Sequence, residues 1–233
     1  MRRVASLAVV LAVSAVLAGP VSAAVIVTTE NLPYYGMWND GDPVYTFATI
    51  PDPSATDLAQ TADFSANVGV GGGGLPVLHD GLMPPRYGWD NPGDNAYYDD
   101  AYSITIDLGS PIAVTEVNTY SWHSNVRSPQ KYDLWGSTNG TDWTLVANVA
   151  TGLPDGLNWY DFNPYEPHGD GVWGVSVTDD AGSLGTFRYL RFDASNPISH
   201  GTFFSEFDVV PEPATLALLG LGLAAGLIRR RRA

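Results

Sequence analysis

Short strands separated by turn signals run through the chain from about Asp107 onward, and nothing in it reads as a long amphipathic helix. Ser103-Ile-Thr-Ile-Asp-Leu108 alternates and stops at Gly109-Ser-Pro111, and Val114 to Tyr120 alternates again. Tyr132-Asp-Leu-Trp135 and Trp143-Thr-Leu-Val-Ala147 flank a loop holding Asn139-Gly140, a hairpin signal because both central residues of such a turn take positive φ. Phe187 to Phe192 and Phe203 to Val210 complete the set. Many short strands, Gly- and Pro-rich turns and aromatic residues within the strands predict an antiparallel β-sandwich. Upstream, Ala24 to Thr29 reads as a strand, 32–41 and 51–53 as loops, 56–66 as a short helix or a further strand, and 71–74 as a hinge or tight loop.

Both ends of the chain differ from this body. Met1-Arg2-Arg3 is followed by an apolar run to Ala18, then Gly19-Pro20 and the small-x-small series Val21-Ser22-Ala23. That order is a secretory signal peptide, over 1–23, with cleavage after Ala23 or Ala24. At the other end, Ala214 to Ile228 is uncharged, and four arginines follow: Arg229, Arg230, Arg231 and Arg232. As a helix this run is roughly 22 Å long against a hydrocarbon core of about 30 Å, so it reaches across with help from thinning or snorkelling arginines. The positive-inside rule keeps the arginines in the cytoplasm and puts the body on the far side.

Pro211-Glu212-Pro213, a short apolar run and the cluster Arg229, Arg230, Arg231 and Arg232 together resemble the PEP-CTERM sorting signal, over 211–233. The resemblance implies export through the translocon and a transient hold in the inner membrane. A membrane enzyme of the exosortase type then removes the tail and passes the body to the cell surface or matrix. A plain tail anchor shares this topology.

Charge sharpens the contrast. Of eleven Lys and Arg, six lie in the end segments (Arg2, Arg3 and Arg229 to Arg232); the body from 24 to 210 keeps five bases against 24 acids, a net charge of −19. Such a body repels nucleic acid and anionic lipid and suits divalent cations or neutral partners. Cysteine is absent, which removes disulfides, thiol nucleophiles and zinc-thiolate sites from consideration.

A second resemblance covers 76–210, with 24–75 as an extension that joins the sandwich. Asp80-Gly81 with Trp89 downstream, Ile104-Thr-Ile-Asp-Leu-Gly109, Arg127-Ser-Pro-Gln-Lys-Tyr132 with Ser137-Thr-Asn-Gly-Thr-Asp-Trp143, and the closing Phe187 to Phe192 and Phe204-Ser-Glu-Phe-Asp208 occur in the order of the discoidin-type, galactose-binding-like jelly roll. The series is similar to that family, which implies an all-β antiparallel jelly-roll sandwich, flanked here by a signal helix and a C-terminal transmembrane helix. Members of the family often hold calcium between the Asp-Gly loop and a Glu near the last strand; Asp80 and Glu206 match those positions. Leu82 to Gly88 departs from the family's pattern, with two prolines and no Thr before the Trp.

The resemblance also implies a ligand site at the loop end of the sandwich. Sugars are held by aromatic faces and a few polar groups aimed at hydroxyls. Trp122, His123, Asn125 and Arg127 lie in one connecting stretch, Tyr165, His168 and Trp173 in another, and His200 in the last long loop. The alternative for each aromatic residue is a plug in the open end of the sandwich. No Gly-x-Ser-x-Gly or His-Glu-x-x-His motif is present and the four histidines are scattered, so catalysis is the least favoured class. The sequence thus reads as an exported, surface-sorted, non-catalytic protein associated with extracellular polysaccharide. Its rival is a structural matrix or adhesion protein with no sugar site.

Overall fold

The computed structural model describes residues 24–33, 46–82, 95–123, 127–151, 171–195 and 201–213. The expected signal helix over 1–23 lies outside them. So does the expected transmembrane helix, with Arg229, Arg230, Arg231 and Arg232 behind it. Among the described residues no helix is long and apolar enough to cross a membrane.

The described residues form ten strands: β1 (Val25–Pro33), β2 (Asp63–Ala66), β3 (Gly71–Gly72), β4 (Ala96–Tyr97), β5 (Tyr102–His123), β6 (Lys131–Ser137), β7 (Thr144–Ala150), β8 (Gly171–Asp179), β9 (Gly185–Ala194) and β10 (Phe204–Pro211). All pairings are antiparallel, as the alternating runs predict. Strand β5 is the spine of the molecule. Its first half pairs with β9 and β2, and its second half with β10 and β8. One layer is therefore β7-β6-β9-β5-β2 and the other β4-β10-β5-β8-β1. Gly109-Ser-Pro111 does not end the strand as expected. It is absorbed as a register shift between Asp107 and Ile112, where the chain passes from one layer towards the other.

The layers meet through one apolar core. Ile104, Ile106, Leu134 and Phe192 on one side face Val117, Val175, Phe207 and Val209 on the other. Phe192 stacks on Phe207 with ring centroids 4.5 Å apart, and Tyr132 meets Phe204 edge-on at 6.0 Å.

The upstream extension has two roles that its sequence did not separate. Strand β1 adds an edge to β8 over nine residues. Residues 46–58 then cross the outer face of the second layer as a strap. Glu30 of β1 accepts the Ala48 and Thr49 amides at 2.7 Å each, and the Tyr120 hydroxyl donates to the Pro51 carbonyl. Phe47 and Ile50 cover Tyr120, Trp122 and Val172 in a second apolar cluster. Gly174 makes room for them: a Cβ there would lie 3.0 Å from the Phe47 ring and 3.1 Å from Ile50. The strap closes on β10 through Leu58 N to Val209 O at 2.9 Å, and the chain turns through a 3₁₀ turn at Ala59–Thr61 into β2.

The β6–β7 hairpin is present, but its turn differs from the expected one. Among the described residues no non-glycine residue has positive φ, so Asn139 does not take the first place of a type I′ turn; Gly140 alone takes φ 76°. Asn139 instead holds a longer loop with its side chain, its Oδ1 accepting the Thr141 and Asp142 amides at 2.9 Å each.

Candidate functional site

At one end of the sandwich, where β5 finishes and β10 begins, three segments are fastened together. The Phe203 amide donates to the Arg127 carbonyl at 2.9 Å, the Trp122 amide to the Phe203 carbonyl at 3.2 Å, and the Thr202 hydroxyl to the Pro129 carbonyl at 2.7 Å. Beneath them lies Gln130, fully buried, whose Nε2 donates to the Thr119 carbonyl at 3.1 Å and the Ser121 hydroxyl at 3.0 Å. Such a satisfied polar network fixes one loop geometry. Gly201 passes so close to the Tyr98 carbonyl that any Cβ would collide with it.

This platform carries a stack. The Tyr97 and Phe203 rings lie 4.0 Å apart and 4° from parallel, the Arg127 guanidinium sits 5.1 Å from the Phe203 centroid, and Asp99 Oδ1 lies 3.5 Å from Arg127 NH1. Tyr98 is exposed beside it, edge-on to Tyr102 at 6.1 Å. A planar cation on an aromatic face, half-buried and next to a carboxylate, presents donors and acceptors over an apolar base.

The residues singled out from the sequence divide. Arg127 is in the stack. Trp122 is 1% exposed and Trp173 is 8% exposed, so both are core plugs and not stacking faces. The strap residues Phe47 and Ile50 cover Trp122, and its buried indole N–H has no acceptor among the described residues. The backbone of His123 ends β5 opposite Gly171. Asn125, Tyr165, His168 and His200 lie outside the described residues. Sequence reasoning missed Tyr97 and Phe203 as partners of Arg127, because the two rings come from distant parts of the chain and no local pattern joins them.

Asp80 and Glu206 do come together. Gly81, at φ 77°, donates its amide to Glu206 Oε2 at 3.2 Å, while Asp80 Oδ1 accepts the Leu82 amide at 2.9 Å. Glu206 is fully buried and its Oε1 has no partner among the described residues. Burial, and then the charges of Asp80 and Asp57, push its carboxyl up to about 9. A buried acid with an orphaned oxygen, facing a second acid across a tight glycine turn, fits a divalent cation that takes oxygen ligands. Among the described residues no cluster of three or more His, Cys, Asp or Glu is close enough to hold a metal, so backbone or water oxygens would complete the shell.

Comparison with known proteins gives two findings. Residues 209–232 match the PEP-CTERM protein-sorting motif. The match takes in the motif residues singled out from the sequence: Pro211, Glu212 and Pro213 near its start, and Arg229, Arg230, Arg231 and Arg232 at its end. Among solved structures the chain is similar to the family 32 CBM from C. perfringens NanJ in complex with galactose, at 17% identity and TM-score 0.46, covering 66% of this chain and 97% of that one. It is similar also to a Streptococcus pneumoniae fucose binding module, at 12% identity and TM-score 0.45, covering 67% and 98%. A third is chitosan-binding module 2 of a Paenibacillus sp. IK-5 chitosanase/glucanase, in complex with chitotriose, at 18% identity and TM-score 0.43, covering 66% and 99%. No curated protein matches the chain.

Proposed function

We propose that this chain is an exported, non-catalytic protein that holds extracellular polysaccharide at the loop end of its sandwich. The sorting motif at 209–232 is the observation that carries the reading. It supports passage through the translocon, a transient stay in the inner membrane, and processing by an exosortase-type enzyme that releases the body to the surface or matrix. In that reading Arg229, Arg230, Arg231 and Arg232 hold the end of the tail in the cytoplasm until it is removed. The sugar-binding half is supported by the Arg127–Phe203–Tyr97 stack on its rigid platform, with Tyr98 exposed at its edge. His123, Asn125, Tyr165, His168 and His200 remain candidates for the polar contacts.

Calcium belongs to the same proposal. Asp80 and Glu206 would hold it, and when bound it supplies positive charge that offsets the buried carboxylate. This chain's own contribution is to orient the Asp-Gly turn through the Gly81 amide.

The burial of Trp122 and Trp173 favours a second reading, a structural matrix or adhesion protein whose loop aromatics are plugs. A glycan array probed with the full chain in mild detergent, with calcium and with chelator, separates the two. Retention on a polysaccharide that Arg127→Ala abolishes supports the sugar site. No signal on any polysaccharide, the host's own included, leaves the structural reading.

A further inference from the structure

A second group of oxygens lies two residues further along β10, where the strap crosses it. Asp57 Oδ1 is spent on two amides, accepting from Ala59 at 2.7 Å and Val209 at 2.8 Å. Asp208 Oδ2 is likewise spent, accepting the Ser54 amide at 3.2 Å and Asn118 Nδ2 at 3.1 Å. The remaining oxygens, Asp57 Oδ2 and Asp208 Oδ1, are buried and have no partner among the described residues, and neither has Asn118 Oδ1. Asp57 is 8% exposed, and Asp208 and Asn118 are fully buried. Two carboxylates and an amide from three segments thus meet: the Asp57 and Asp208 carboxyl groups lie within hydrogen-bond reach of each other, and Asn118, opposite Asp208 in register, is bonded to it.

An acceptor buried without a donor carries a desolvation cost, larger for a charged group. A partner that needs acceptors only, and tolerates irregular geometry, removes that cost. We propose that Asp57, Asp208 and Asn118 form a cation site, of the calcium type, that fastens the strap to the last strand. Calcium takes oxygen ligands in flexible geometry, whereas magnesium demands a near-octahedral shell. Two carboxylates and one amide are a sparse donor set, which places the affinity in the weak range of extracellular modules, on the order of 10⁻⁴–10⁻³ M. The site shares no ligand with Asp80 and Glu206.

Amide hydrogen exchange on the full chain, with calcium chloride and with chelator, tests this. The amides of Ser54, Ala59 and Val209 report on the strap, because they donate to these two carboxylates. A cation bound only to the closed strap at about ten times its Kd suppresses opening about tenfold. The expected result is that protection in the wild type and in Asp80→Asn, and its loss in Asp57→Asn. Asn118→Leu, which keeps both acids, serves if Asp57→Asn does not fold, and it should weaken the calcium effect. No calcium effect on these amides in the wild type overturns the proposal and leaves a proton shared between the two acids. Loss of the effect in Asp80→Asn overturns it too, because the protection then comes from the neighbouring acids.

Discussion

In the proposed sugar site Arg127 supplies the charge, while Trp122 is a side chain buried beneath the strap. Arg127→Ala removes a cation from the Phe203 face and a partner from Asp99 without opening the core. It should abolish polysaccharide retention while thermal stability changes by less than about 1 kcal/mol. Trp122→Ala empties a fully enclosed site and should cost about 3–5 kcal/mol in denaturant unfolding. If Arg127→Ala binds as the wild type does, the stack is structural. A second residue-scale test concerns Asp107, which Arg188 grips with two bonds of 2.9 Å, holding its carboxyl below the ordinary value. A carboxyl lowered in the folded state contributes stability above its unfolded pKa of about 4, and that contribution is lost as pH falls through the folded value. Melting curves of Arg188→Met should therefore be less acid-sensitive than wild type below about pH 4; parallel curves would show that the pair contributes nothing. At this scale the sequence was legible where chemistry and turn geometry coincide, as at Asp80-Gly81 and Glu206. It left Trp122 open between sugar face and plug, because strand alternation says which side chains leave the main core but not that a distant segment covers them.

Among the elements, β8 and the strap were the hardest to read, for one shared reason. Val172 to Val177 is buried on both faces, by the core beneath and, at Val172 and Gly174, by Phe47 and Ile50 above. Its short alternation at Trp173, Val175 and Val177 passes unnoticed in the sequence, where Trp173 reads as part of a connecting stretch. The strap has no helix or strand of its own; a local turn at Ser54 to Asp57 aside, its bonds go to distant Glu30, Tyr120, Asp208 and Val209. Strands β6 and β9 and the first half of β5, with one face inward, were legible in the sequence to within a few residues at their ends. Phe47→Ala should cost about 3 kcal/mol and expose the 46–58 segment to limited proteolysis before the sandwich unfolds. Cleavage in the strap at the wild-type rate would mean that the second cluster does not hold it down.

For the whole molecule, the division of charge is the organising fact: a body of net −19 between two ends that hold six of the eleven bases. With no cysteine, the body has no disulfide and is held by its core and its strap. The PEP-CTERM motif begins inside β10, at Val209, so the last strand of the sandwich leads directly into the sorting signal. Removal of the tail beyond Pro213 leaves β10 whole. Intact-mass spectrometry of the protein recovered from the surface of its native host measures this most directly. The expected product starts at Ala24 or Val25 and ends before Arg229. A surface product that keeps Arg229, Arg230, Arg231 and Arg232, or a folded body found in the cytosol, would contradict export and sorting together.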